Sequence, residues 1–219
     1  LGNYSVTIIP QAPALDPSRK AKSPKPCRPG ASPQLLCVAP FIERKGIKYL
    51  LDALSLVLEK HCVKLNLVGS GSLEETLKVQ CKKLDLEAAV NFLGNLSEED
   101  LVEEYVNCDI FILPSIVDNK GDTEGLGVVM LEAMYFGKPV IASAVGGIVD
   151  VVIPDLTGIL VPQKDPQALS DAILMLVNDP DKAQQMGHKG LEYVQNHFSW
   201  SYIIPLWQKL FFEAFDVTN

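Results

Sequence analysis

The sequence predicts an α/β fold: a doubly wound, mostly parallel sheet with helices on both faces. Two observations predict it. Short, almost continuously apolar runs recur from Leu35 onward, as expected of strands buried on both faces. Longer stretches with apolar residues at helical spacing separate them, and this alternation is how βα units wind a parallel sheet.

The runs that read as strands are 35–39 (Leu-Leu-Cys-Val-Ala), 65–68 (Leu-Asn-Leu-Val), 90–93 (Val-Asn-Phe-Leu), 110–113 (Ile-Phe-Ile-Leu), 139–142 (Pro-Val-Ile-Ala) and 158–161 (Gly-Ile-Leu-Val). Between the first two, residues 46–59 repeat apolar side chains at helical spacing. Ser72-Leu-Glu-Glu75 and Ser97-Glu-Glu-Asp100 read as helix starts, with acids in the first turn where the helix dipole favours them. Residues 127–136 form a further helix. Asp165-Pro166 opens one that runs to about Val177, Pro180 opens another, and Ser199 caps a terminal one. Pro205 lies inside that last pattern and is expected to kink or interrupt it. No internal repeat is present.

A chain of 219 residues that is 47% hydrophobic can bury a sizeable core. Nineteen basic against 27 acidic residues give a formal charge of -8, which repels a phosphate backbone and argues against a broad nucleic-acid surface. A compact basic pocket for one small anion is compatible with it. The five cysteines (Cys27, Cys37, Cys62, Cys81, Cys108) include no C-x-x-C pair and no histidine at metal-ligand spacing, so no metal site is expected. They read as reduced, mostly buried thiols of a cytoplasmic protein. No apolar run approaches the roughly 20 residues that span a bilayer, and no signal-peptide pattern opens the chain, which leaves peripheral action at a membrane surface open. Seven prolines between Pro10 and Pro33, interleaved with Arg19, Lys20, Lys22, Lys25 and Arg28, read as a linker draped over the surface.

In an open parallel sheet ligands bind beyond the carboxyl ends of the strands, so function is sought in the loops there. The loop after the first strand, Pro40-Phe-Ile-Glu-Arg-Lys-Gly46, puts Lys45 where a helix begins. A cation there opposes the helix dipole, which a bound phosphate would offset; the alternative is a lysine exposed to water. After the second strand, Gly69 and Gly71 either admit a ligand to the backbone or make a tight turn.

The loop after the fourth strand is the most informative. Pro114-Ser115 leads through a polar stretch into Glu124-Gly-Leu-Gly-Val-Val-Met-Leu-Glu132. Gly125, Leu126 and Gly127 at a helix start offer backbone N–H groups to a diphosphate. Glu124 stands just before that helix, and Glu132 leans back over its first turns. Paired carboxylates accept hydroxyl protons, which suits a sugar on one side of a diphosphate and a ribose on the other. Alternatively, Glu124 is a helix-start acid and Glu132 a surface acid, although the apolar Leu131, Ala133 and Met134 make an unpaired carboxylate at 132 costly. A last turn, Ser143-Ala-Val-Gly-Gly-Ile148, is another small-residue loop beyond a strand where a ligand could lie; alternatively, its glycine pair lets a helix approach the sheet.

With these residues in hand, the chain resembles the C-terminal domain of the group 1 glycosyltransferases, glycosyltransferase family 4, from about Leu35 to the end. The E-x7-E element of Glu124 and Glu132 is the most specific match. Lys45-Gly46, Val90-Asn-Phe-Leu-Gly94, Gly137-Lys-Pro-Val140, Gly146-Gly147 and Thr157-Gly-Ile-Leu-Val161 agree with it. The resemblance implies a Rossmann-like sheet, one half of a GT-B fold, that binds a nucleoside diphosphate sugar linked to UDP, GDP or ADP. It implies a retaining transfer of a hexosyl group, with no cofactor or required metal, to a glycan, lipid or small-molecule acceptor. It places Lys45 on the diphosphate, Glu132 on the ribose hydroxyls and Glu124 with the 125–127 backbone on the transferred sugar. Phe92 and Leu93 would lie beside the base, and Gly69, Gly71 and Ser115 would line the same site. The same architecture serves nucleotide-sugar epimerases, and a non-catalytic nucleotide-binding module is a further alternative.

Two implications concern what the sequence does not match or contain. The family's Gly-Arg after the first C-domain strand is Ala39-Pro40 here, and proline can neither carry charge nor donate. Neutralisation of the diphosphate would then rest on Lys45, with Arg44 as a candidate substitute. The family enzyme is roughly twice this length, so residues 1–34 are expected to be the interdomain linker and the end of an acceptor-binding N-terminal domain, with 6–10 its last strand. Residues 35–198 are the expected nucleotide-sugar domain, and 199–219 a helical segment packing toward the N-terminal domain. The chain on its own is expected to be inactive.

Overall fold

The computed structural model describes residues 32–216, with side chains through Phe212. Residues 1–31 of the expected linker segment, with the strand expected at 6–10 and Cys27, lie outside the described residues. Six strands, β1 (Gln34–Val38), β2 (Lys64–Val68), β3 (Val90–Gly94), β4 (Ile110–Leu113), β5 (Val140–Ser143) and β6 (Gly158–Val161), pair throughout in parallel. Their order is β3-β2-β1-β4-β5-β6. Each expected strand is present to within one residue at either end.

The apolarity of the strands follows from what covers them. Leu35, Cys37, Leu65, Leu67, Ile110, Ile112 and Ile141 point to one core, shared with α1 (Ile47–Leu58), α2 (Glu74–Lys83) and α6 (Pro166–Asn178). Leu36, Phe111, Leu113, Val140 and Ala142 point to the other, with α3 (Glu98–Asn107), α4 (Val128–Tyr135) and α5 (Ile148–Val151). The long α7 (Pro180–His197) contributes Ala183 and Met186 to the first core and Val194 to the second. Alternate side chains of one strand therefore serve different cores, and both are apolar.

Helix starts are set by the anticipated chemistry. Ser97 accepts the Asp100 N–H at 3.1 Å to cap α3, and Asp165 and Asp179 accept the Ala168 and Lys182 N–H groups to cap α6 and α7, each followed by proline. Two details differ from expectation. Ser72 makes no cap, and α2 begins only at Glu74, because residues 71–73 are drawn into a turn in which Leu73 N–H donates to Phe41 O. The terminal helix α8 (Trp200–Asp216) runs through Pro205 without interruption. Pro205, the sixth residue of the helix, takes the usual N–H donor from the carbonyl of Ser201, an exposed residue.

Candidate functional site

Winding runs from β1 outward to β3 and then reverses through β4 to β6, so the loops leaving β1 and β4 diverge from neighbouring strand ends. This reversal is where an open α/β sheet has its crevice. After β1, residues 39–42 lie against the loop after β2, with Phe41 N–H donating to Ser70 O, and Glu43–Lys45 close a 3-10 turn. Gly46 follows in the left-handed region at φ 63°, the conformation that swings the chain into α1. The β4 loop packs directly on it: Ile116 N–H donates to Arg44 O at 2.8 Å, and a β carbon on Gly46 would stand 1.9 Å from Pro114 O.

This contact brings together three of the expected site residues and one suspected substitute. The Lys45 ammonium donates to the Glu124 carboxylate. Ser115 Oγ donates to the same Oε2 at 3.2 Å, and Arg44 Nη1 lies 3.9 Å from Oε1 while donating to Thr123 O at 3.4 Å. The Lys45 and Glu124 side chains are only 9% and 10% exposed. Lys45 is therefore no lysine exposed to water, and Glu124 is more than a helix-start acid. Its buried charge needs the partners that surround it.

Gly127, at φ 71°, turns the chain into α4, with Leu126 packed against the second core. The glycine pair 146–147 does not serve approach to the sheet. Its close contact is with the loop before α4: β carbons there would meet Glu124 O and Gly125 O at 2.0 Å each, and Gly147 N–H donates to Glu124 O. Gly125 differs. It is exposed, its φ lies outside the left-handed region, and nothing stands within 4 Å of where its β carbon would be. Neither backbone nor packing requires a glycine there.

Glu132 is buried among Leu131, Ala133 and Met134, which rules out a surface acid. Its Oε2 accepts a 2.9 Å hydrogen bond from the Tyr105 hydroxyl on α3. Burial first, and then the Glu132 charge, hold the Tyr105 phenol well above its ordinary pKa, so it stays a neutral donor. The remaining expected residues lie at the sides. The glycines after β2 are explained by packing, since β carbons on Gly69 and Gly71 would stand 2.1 Å from Ala39 O and 2.5 Å from Phe41 O. Phe92 packs edge-on against Phe41 with ring centres 6.0 Å apart, and Leu93 lies half-buried against the second core. Among the described residues no group of three or more His, Cys, Asp or Glu side chains could hold a metal ion, and no helix is long and apolar enough to cross a membrane.

Residues 18–193 match the family described as glycosyl transferases group 1. The chain belongs to the group 1 glycosyltransferases. Among group 1 relatives it is 36% identical over 171 residues to a GDP-mannose-dependent monoacylated alpha-(1-6)-phosphatidylinositol monomannoside mannosyltransferase of Corynebacterium glutamicum, covering 77% of this chain and 44% of that protein. Among solved structures, sucrose-phosphate synthase from Thermosynechococcus elongatus superposes with a TM-score of 0.75 at 34% identity, covering 85% of this chain and 46% of that one. Anabaena HepE in complex with UDP and glucose follows at 0.72 and 25%, covering 82% and 48%. The Rossmann-like half of a GT-B fold is thus the architecture of this chain, which spans less than half the length of these relatives.

Proposed function

We propose that this chain is the donor-binding part of a retaining glycosyltransferase that moves a hexosyl group from a nucleoside diphosphate sugar to a glycan, lipid or small-molecule acceptor. The observation that carries the proposal is the convergence of Lys45, Arg44 and Ser115 on Glu124 at the strand-order reversal, beside the open Gly125. Two cations and one carboxylate leave a positive balance in a largely desolvated crevice. That balance suits a diphosphate whose charge grows as the glycosidic bond breaks. In this reading Lys45 and Arg44 take the diphosphate, with Arg44 supplying the charge that Pro40 cannot. Glu124 and the 125–127 backbone hold the sugar, and Glu132 takes the ribose. Gly69, Gly71, Phe92 and Leu93 wall the base side.

Relatives that use GDP-mannose and a solved structure holding UDP support a nucleotide-sugar donor and leave its base and sugar open. The acceptor would belong to a further domain, beyond a linker at 1–34. The exposed Trp200, Trp207, Phe211 and Phe212 of α8 are the apolar surface that would meet that domain. Without it the chain should bind donor weakly and transfer nothing. Calorimetric titration with UDP, GDP and ADP compounds tests the proposal, with weak binding of at least one as the expected result. Absence of heat and of any melting shift at millimolar ligand would overturn it.

Gly125→Ala gives a sharper test of where the donor lies. A methyl group there meets nothing in the unliganded chain, so stability should stay within about 0.5 kcal/mol of wild type. A diphosphate lying against the 125–127 backbone would be crowded by it, and affinity should fall about tenfold or more. Unchanged affinity would move the donor away from this loop.

A further inference from the structure

We propose that Tyr105 is a positioning residue, which aims the Glu132 carboxylate at the ribose of the donor. The inference rests on the ribose role given to Glu132 above and names the group that makes the role possible. A glutamate has three rotatable side-chain bonds, and on the first turns of a helix its carboxylate can swing through a wide arc. Tyr105 removes that freedom. Its ring is fully buried, stacked on Phe136 at 5.5 Å with planes 10° apart, and tilted against Phe111 at 5.8 Å. The phenol oxygen is therefore a fixed point, set by a different helix from the one that carries Glu132.

From that point the hydroxyl has two acceptors within reach, Glu132 Oε2 at 2.9 Å and Val129 O at 3.3 Å. The shorter contact is to the charged oxygen, and a hydrogen bond to a charged acceptor is the stronger of the two. Anchoring Oε2 fixes the plane of the carboxylate and so the direction of its second oxygen. The ring packs among apolar side chains, which accounts for an aromatic residue at this position. Packing alone gives no reason for a hydroxyl. Nothing in the ring contacts would be lost with phenylalanine in its place, whereas the bond to Glu132 would.

The test uses the chain as it stands, with GDP and UDP and their 2′,3′-dideoxy counterparts as probes. Wild type should prefer the ribose form. Tyr105→Phe keeps the ring packing and should lose about tenfold or more on the ribose form while changing little on the dideoxy form. Glu132→Gln should abolish the preference, and adding Tyr105→Phe to it should change nothing further. Phe136→Leu disturbs the same ring packing and leaves the hydroxyl bond, so it should lower the melting temperature yet keep the preference. If Tyr105→Phe retains the full ribose preference, or weakens both forms equally, the positioning role is overturned and Glu132 keeps its own. A wild type that does not distinguish the two forms overturns the ribose role of Glu132 itself, and this proposal with it.

Discussion

Lys45→Ala should remove most of the chain's affinity for a nucleoside diphosphate and leave its affinity for the nucleoside nearly unchanged. The ammonium is buried and bonded to Glu124, while Arg44 lies 3.9 Å away from that carboxylate and is partly exposed. Removing Lys45 leaves one cation against one carboxylate, so the cluster offers no positive balance to an incoming diphosphate. The N–H groups before α4 supply only about half a charge. Truncating one member of a buried charged pair costs about 2–5 kcal/mol in binding, which here means a loss of roughly 30-fold or more.

The same truncation leaves Glu124 short of a partner and should lower stability by about 3 kcal/mol or more. Lys45→Ala with Glu124→Gln separates the two effects. The double variant should regain much of the stability but only part of the diphosphate affinity, since Arg44 against a neutral amide restores a positive balance while the buried Lys45 contact stays lost. Titrations with nucleoside and nucleoside diphosphate, at low and moderate salt, read the result. Equal losses for both ligands would mean that Lys45 does not sit on the phosphates, and the electrostatic reading of this site would fall.

A second large effect should appear at alkaline pH, where the folded chain is expected to lose stability steeply between about pH 9 and 11. Burial pushes the Cys37 thiol up to about 12 from its ordinary 9.0, against a smaller opposing pull from Lys45. Burial does the same for Cys108, also to about 12, with Lys138 opposing. Both thiols are free and buried. Above pH 9 the unfolded chain releases these protons and the folded chain keeps them, so the folded state binds more protons and stability falls as pH rises. Below pH 9 both states hold the proton and the contribution is complete.

Each such group changes stability by about 1.4 kcal/mol per pH unit, so the pair costs about 5 kcal/mol from pH 9 to 11, comparable with the whole stability of a small domain. Cys81, raised to about 11, and Tyr105 act in the same direction. Urea unfolding at intervals from pH 8 to 11 measures the slope. Cys37→Ala with Cys108→Ala should flatten it by about two protons per chain. A wild-type slope that the double substitution leaves unchanged would exclude the thiols as its source.

What could be read from the sequence was whatever is written locally. Strands covered on both faces announce themselves as unbroken apolar runs, and Asp165-Pro166 states a helix start in two residues. The Glu124–Glu132 spacing is also local, since eight residues along one loop and helix fix both acids relative to the same turn. The partners of those acids are not local. Lys45 lies 79 residues before Glu124 and meets it only because β1 and β4 are neighbours in the sheet. Tyr105 lies 27 residues before Glu132, on a helix whose apolar periodicity offers a sufficient reason for any large aromatic residue. A hydroxyl carries no signal in such a pattern, and its partner became visible only when α3 and α4 were set side by side. The glycine pair at 146–147 signals a close approach without naming its partner, which is the loop before α4 rather than the sheet. A missing β carbon shows that something comes close, but not which segment it is.

Four close approaches described above also limit how this protein can change over generations. At Gly46, Gly69, Gly146 and Gly147 the nearest neighbour of an added β carbon is a main-chain oxygen, 1.9 to 2.1 Å away, and a main-chain oxygen cannot be mutated out of the path. Even alanine, the smallest step available to a lineage, is a collision at each of them. These four positions in the frame beneath the crevice therefore cannot drift by single substitutions while the neighbouring segments keep their course. Variation that retunes the crevice while sparing the frame must come through the side chains that face it, and through Gly125, where the frame leaves room for one more.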